Sequence, residues 1–117
     1  MKNILIYSSD SNICLSFLMY WQNDYNVTTT TNLDILQIIS DKVRFDLIII
    51  DTEPSIQIES ICQKLRENDS EVPLILTFVY KHNLKEFDNR IRKYTNTIFY
   101  KPFDLNEITQ KLSALIL

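Results

Sequence analysis

Short apolar runs and helix-period stretches alternate five times along this 117-residue chain, and that alternation restricts it to one architecture. Ile4 to Tyr7 is an apolar run that ends at Ser8-Ser9-Asp10, and Ile13, Cys14, Phe17, Leu18 and Trp21 then share one helical face. Tyr25 to Thr31 is β-branched and threonine-rich; after Asn32, a helix-cap residue, Leu33, Leu36, Ile39 and Val43 recur at helical spacing. Phe45 to Ile50 is almost continuously apolar, the mark of a strand buried on both faces, and it stops at Asp51. Ile58, Ile61, Cys62 and Leu65 predict a third helix, Val72 to Phe78 a fourth strand, and Leu84, Phe87, Ile91 and Tyr94 a fourth helix. Thr97 to Tyr100 predicts a fifth strand, and Asp104-Leu105-Asn106-Glu107 opens a last helix through Ile108, Leu112 and Leu115 in the manner of a capping box. Parallel strands need right-handed crossovers, so five such units give a doubly wound α/β domain, (βα)5, with helices on both faces of a five-stranded parallel sheet. The usual strand order is 2-1-3-4-5, with the ligand crevice beyond the carboxyl ends of the strands, near strands one and three.

Composition narrows the function. The chain has no glycine, whereas about 7% is usual. A phosphate-binding Walker loop and a dinucleotide fingerprint both require glycine where backbone amides approach phosphate, so neither is present. Cys14 and Cys62 lie in apolar helical patterns without CxxC spacing, and His82 is the one histidine, which predicts reduced, buried thiols rather than zinc or a redox pair. The apolar start is too short for a signal peptide or a spanning helix, and a cytoplasmic location without membrane attachment is expected. Residues 1 to 60 hold three Lys/Arg against eight Asp/Glu, and residues 61 to 117 hold nine against seven; neither half is basic enough to form a nucleic-acid surface. The length fits a single domain over 1–117, and the last helix is expected to end close to Leu117, which fits a stand-alone domain.

The topology collects the strand exits at one end of the sheet. These are Ser8, Ser9 and Asp10 after strand one, Asp51 after strand three, Thr77 after strand four, and Lys101-Pro102 after strand five. A carboxylate, a hydroxyl and a lysine that converge are the parts of a phosphoryl-accepting site: the acid attacks, the hydroxyl donates to a phosphoryl oxygen, and the lysine neutralises charge.

With Asp46-Leu47-Ile48-Ile49-Ile50-Asp51, Val72-Pro73-Leu74-Ile75-Leu76-Thr77 and Lys101-Pro102-Phe103 before an acid-capped helix, the chain resembles the receiver domain of two-component response regulators over essentially its whole length. The resemblance implies a flavodoxin-like, CheY-like fold that is not an enzyme in its own right but accepts a phosphoryl group on its own aspartate. Asp51 matches the phosphoacceptor, Thr77 the switch hydroxyl and Lys101 the lysine that contacts the phosphoryl group, with a cis Lys101-Pro102 bond. A histidine kinase or phosphotransfer protein would act upstream. A downstream protein would bind the surface of helix four, strand five and helix five, where Lys81, His82, Lys85, Arg90, Arg92 and Lys93 form either a solvated helix face, partly paired with Glu86 and Asp88, or a dock for an acidic partner. No nucleic acid is expected to bind directly.

Several positions depart from the family pattern. The two acids that hold Mg²⁺ at the end of strand one are Ser8 and Ser9 here, and neutral hydroxyls are poor ligands for this ion. Asp10, one position later, and Glu53, two after Asp51, are the remaining carboxylates that could join Asp51 around a metal. Pro54 comes three residues after the phosphoacceptor where the family has four. Bulky Phe78 follows Thr77 and narrows the approach to Asp51, and Ile98 stands at the position of the switch aromatic. These changes admit a second function, a phosphorylation-independent pseudo-receiver in which Lys101 pairs directly with Asp51. A remoter alternative is a flavodoxin-like binder of phosphate or flavin, using Ser8-Ser9-Asp10-Ser11-Asn12 at a helix N-terminus; the missing glycine, the short chain and capping by Ser11 count against it. Asn96 is expected to replace a family glycine by taking a left-handed backbone conformation before strand five.

Overall fold

Side-chain caps fix where four of the helices begin. In the computed structural model, which describes residues 1–116, the order is β1 (Asn3–Ser8), α1 (Ser11–Trp21), β2 (Asn26–Thr30), α2 (Leu33–Lys42), β3 (Leu47–Asp51), α3 (Ile56–Asn68), β4 (Leu74–Phe78), α4 (Lys85–Ile91), β5 (Thr97–Tyr100) and α5 (Leu105–Leu115), with a short 3₁₀ turn His82–Leu84 leading into α4. Asp10, Asn32, Ser55 and Asp104 each accept a backbone N–H of the first turn of α1, α2, α3 and α5, respectively. The cap of α1 is therefore Asp10 and not Ser11, because the carboxylate at position 10 reaches the Asn12 N–H at 2.9 Å and Ser11 already lies inside the helix.

The five strands are all parallel in the order β2-β1-β3-β4-β5, the usual order expected from the five-unit pattern. Alternation along the strands divides the core in two. Ile4, Ile6, Leu47, Ile49 and Ile75 pack with Phe17 and Trp21 of α1 and Ile108 and Leu112 of α5; Leu5, Tyr7, Ile48, Ile50, Leu74, Leu76 and Phe78 pack toward α2, α3 and α4. Each fully buried aliphatic side chain contributes about 1.5–3 kcal/mol. Trp21 completes its burial by donating its indole N–H to Thr109 of α5 at 2.8 Å. Both cysteines are free and buried. Burial pushes the Cys62 thiol up to about 12.

Local differences from the pattern have simple causes. Val43, expected on the apolar stripe of the second helix, is the C-cap of α2 and faces solvent. Phe45 and Val72 are buried, but as lead-in residues rather than as strand, because β3 and β4 begin at Leu47 and Leu74. Asn96 does not adopt a left-handed conformation, and no described residue has positive φ. It works through its side chain: its amide oxygen accepts the Leu74 N–H at 2.9 Å and the Arg66 guanidinium at 2.8 Å. Arg66 also donates to the carbonyls of Tyr94, Ser70 and Val72, so one guanidinium of α3 ties together the turns before β4 and β5. The Lys101-Pro102 peptide is cis.

Candidate functional site

Parallel register builds the site from residues far apart in the chain. Ser8 pairs with Asp51 across β1 and β3, and Asp51 with Thr77 across β3 and β4, so three polar residues stand in one row where the sheet ends. Their side chains point to the same side. The Ser8 hydroxyl donates to Asp51 Oδ2 at 2.7 Å, the Thr77 hydroxyl donates to Oδ1 at 2.6 Å, and Lys101 Nζ, arriving just beyond β5, lies 2.8 Å from Oδ1. Ser8, Asp51 and Thr77 are buried, and the Lys101 side chain is 28% exposed. The predicted Asp51, Thr77 and Lys101 thus meet on one carboxylate, and the direct Lys101–Asp51 pair is present. Sequence reasoning missed Ser8 as a donor. It treated that residue as a weak metal ligand, although a hydroxyl next to a buried acid on the neighbouring strand is the signal that would have found it.

These four residues, with Ser9 and Asp10, line a cleft of about 400 Å³. The other two candidate metal carboxylates also line this cleft, but both are engaged. Asp10 is exposed and spends its Oδ1 on the cap of α1, and Glu53 forms a 2.8 Å ion pair with Lys81 at the surface. Magnesium requires a near-octahedral shell of oxygens drawing on one or two carboxylates, and the one buried carboxylate of the cleft already accepts from two hydroxyls and an ammonium. Among the described residues no cluster of three potential ligands stands close enough to hold a metal ion. The donor set does not fit Mg²⁺.

Phe78 does not close the cleft. Strand alternation turns its ring to the face opposite Thr77, where it packs edge-on to Tyr100 with ring centroids 5.5 Å apart. Ile98 lies on that same face, half-buried against the core. Cys14 sits behind β1, with its thiol 3.7 Å from the carbonyls of Ser8 and Thr30, and burial pushes its pKa up. Tyr7 is raised as well, by burial first and by the charge of Asp51 second.

A second polar group, not foreseen, joins α4 to β5. Asp88 is buried, accepts the Tyr100 hydroxyl at 2.7 Å and Arg92 Nε at 2.8 Å, and Arg92 also donates to the Tyr100 oxygen at 2.8 Å. The hydrogen bond to Asp88 holds Arg92 above its usual range, and burial followed by the bond to Asp88 raises Tyr100. Arg90 pairs with Glu59 at 2.9 Å. Lys81, Arg90 and Arg92 therefore spend their charge on acids of this chain, which brings the basic stretch around α4 close to the solvated, paired face.

No family model matches the chain, and no curated protein matches it. Solved structures do. A two-component response regulator from Clostridium difficile is 16% identical with a TM-score of 0.83 over 98% of this chain and 95% of that one. The receiver domain of a sensor histidine kinase from Pseudomonas aeruginosa, with a magnesium ion coordinated in its active-site cleft, is 21% identical with a TM-score of 0.80 over 98% and 97%. A response regulator from Thermotoga maritima in complex with Mg²⁺ and BeF is 23% identical with a TM-score of 0.82 over 98% and 99%. At these identities the likeness concerns the fold, and with the strand order and the helices on both faces it gives one conclusion: the chain has the flavodoxin-like, CheY-like fold of a response-regulator receiver domain.

Proposed function

We propose that this protein is a receiver-type signalling module that acts through protein contact, and that Asp51 anchors a metal-independent polar lock instead of accepting a phosphoryl group. The observation that carries this reading is that both oxygens of Asp51 are engaged within the protein: Ser8 holds one, and Thr77 and Lys101 hold the other. A carboxylate attacks phosphorus through a free oxygen, and the charge that gathers on the phosphoryl group needs a cation beyond the one that already neutralises the nucleophile. Asp10 and Glu53 supply no second carboxylate for that cation, because one caps a helix and the other is paired with Lys81. The module turns over no substrate. Its output is a bound downstream protein, for which the surface of α4, β5 and α5, with exposed Tyr80 and Tyr100, is the proposed dock. Among the described residues no helix is long and apolar enough to cross a membrane.

A second reading, phosphorylation of Asp51 by a histidine kinase or phosphotransfer protein with Mg²⁺, is favoured by one observation. Thr77 and Lys101 both reach Oδ1, from which each could turn to an oxygen of an incoming phosphoryl group. Incubation with a small acyl phosphate and Mg²⁺, followed by intact-mass measurement, separates the two. The lock predicts no mass change; a gain of one phosphoryl group that disappears in Asp51→Asn would establish the second reading instead.

A further inference from the structure

The two open edges of the sheet differ in surface chemistry: α1 and β2 are almost without charge, and of the elements at that edge α2 carries the charges Asp34, Asp41 and Lys42. Between Ser11 and Leu33, a stretch that spans α1 and β2, Asp24 is the one charged residue, although 23% of the chain is charged. β2 is an edge strand of sequence Asn-Val-Thr-Thr-Thr, paired on one side to β1, with no charge and no proline along its length. Soluble proteins ordinarily blunt such an edge with lysine, proline, a bulge or a covering segment. The helices beside it add apolar surface: Leu15 and Met19 of α1 are 52% and 62% exposed, and Ile35 and Ile38 of α2 are 41% and 49% exposed. At the other edge, β5 is flanked by α4 and α5, which carry Lys85, Glu86, Arg90, Glu107 and Lys111.

We infer that the β2 edge is an interface between two copies of this chain, formed by antiparallel pairing of β2 with β2 into a continuous ten-stranded sheet. The strand is complementary to itself. A two-fold axis through Thr28 places Asn26 opposite Thr30 and Val27 opposite Thr29, giving β-branched and amide pairs with no like charges in register. That axis stands perpendicular to the sheet, so it sets α1 beside α1 on one face and α2 beside α2 on the other, and the exposed Leu15, Met19, Ile35 and Ile38 gain cover along with the strand edge. Charge selects the occupant. The protein carries a net charge of −3, so copies repel over most of their surface, and the α1–β2 region is where they meet with least repulsion. An acidic partner would find no cation between Ser11 and Leu33 and a basic partner only Asp24, and depletion of charge is the composition of an interface core.

Sedimentation equilibrium of the full chain over a concentration series tests this. The expected result is a reversible monomer–dimer equilibrium with a Kd on the order of 10 μM, the range of a modest strand-edge interface. Thr28→Lys opposes two ammonium groups at the axis and should weaken association at least about tenfold. Met19→Glu, at an exposed helical position, should weaken it in the same direction, and Lys111→Glu on α5 should leave it unchanged. Far-UV circular dichroism and melting of each variant show that its fold is intact. A protein that stays monomeric up to about 200 μM overturns the inference, as does a dimer indifferent to Thr28→Lys and Met19→Glu or one dissociated by Lys111→Glu.

Discussion

Asp51 and Asp88 are two buried aspartates held in nearly the same way at 2.6 to 2.8 Å, the first by two hydroxyls and a cation and the second by one hydroxyl and a cation. Their surroundings differ. The partners of Asp51 come from the ends of β1 and β4 and from just beyond β5, and the carboxylate forms the floor of an open cleft. Those of Asp88 come from one helical turn along α4 and from the end of β5, and they seal it against the fold. A satisfied buried acid is therefore ordinary structural chemistry. What distinguishes the first as a candidate site is convergence of separate strand ends on a ligand-sized space, which the second lacks. Tyr100 and Lys101 are neighbours in sequence, yet one serves Asp88 and the other Asp51, so the two groups share a short length of backbone.

The largest expected effect separates the two acids by burial of the cation. Lys101→Met leaves Asp51 charged and short of its counter-ion inside the protein and should cost about 3 kcal/mol in urea denaturation. Arg92→Met removes a cation whose side chain is 52% exposed and should cost less than about 1 kcal/mol. Adding Asp51→Asn to Lys101→Met should restore much of the loss, since it removes the stranded charge. Equal costs for the two single substitutions would erase the distinction drawn above.

The next effect alters the chemistry of the cleft itself. Ser8→Asp together with Ser9→Asp returns carboxylates to the end of β1 and should raise Mg²⁺ affinity about tenfold or more by calorimetric titration. No rise would mean that the shortened Asp51–Pro54 loop, and not ligand identity, keeps the metal out.

The smallest effect is a difference in response to alkali. The hydroxyl donors to Asp51 are Ser8 and Thr77, which keep their protons through the accessible range, but the donor to Asp88 is a phenol. Tyr100 is raised above its ordinary 10.0, by burial first and by the hydrogen bond to Asp88 second, so folding favours its protonated form. Its contribution is complete below pH 10 and is lost as the pH rises through the raised folded value. Titration of tyrosinate absorbance should show Tyr7 and Tyr100 ionising late, and Tyr100→Phe should remove one of the two.

The alternation of strands and helices and the residues at the strand exits were legible because they depend on periodicity and chain connectivity, which a sequence displays directly, and the strand order followed as the usual one for that alternation. Ser8 was visible as a departure from an acidic position, but its bond to Asp51 depends on register between β1 and β3, which no local pattern specifies. Asp88 was read as a surface partner of the basic helix, and its pairing with Arg92 is present, but its burial and its bond to Tyr100 were hidden for a different reason. It lies on the same helical stripe as Leu84 and Ile91, four residues after one and three before the other, and a charged residue there looks like an interruption of the apolar face until its partners on β5 and α4 are known. Asn96 was recognised at the right turn with the wrong device, because side-chain and backbone substitutes for glycine cannot be told apart without φ.

The absence of positive φ at every described position, in a chain without glycine, also shapes the unfolded protein. Each glycine in an ordinary domain brings extra conformational freedom that folding must remove, at roughly 0.5–1 kcal/mol relative to alanine. This chain begins folding from a narrower ensemble. Its native contacts oppose less entropy, and alanine can be introduced at the non-proline positions of the described sequence without forcing a left-handed residue, so an alanine scan of those positions would report lost side-chain interactions with little distortion from the backbone.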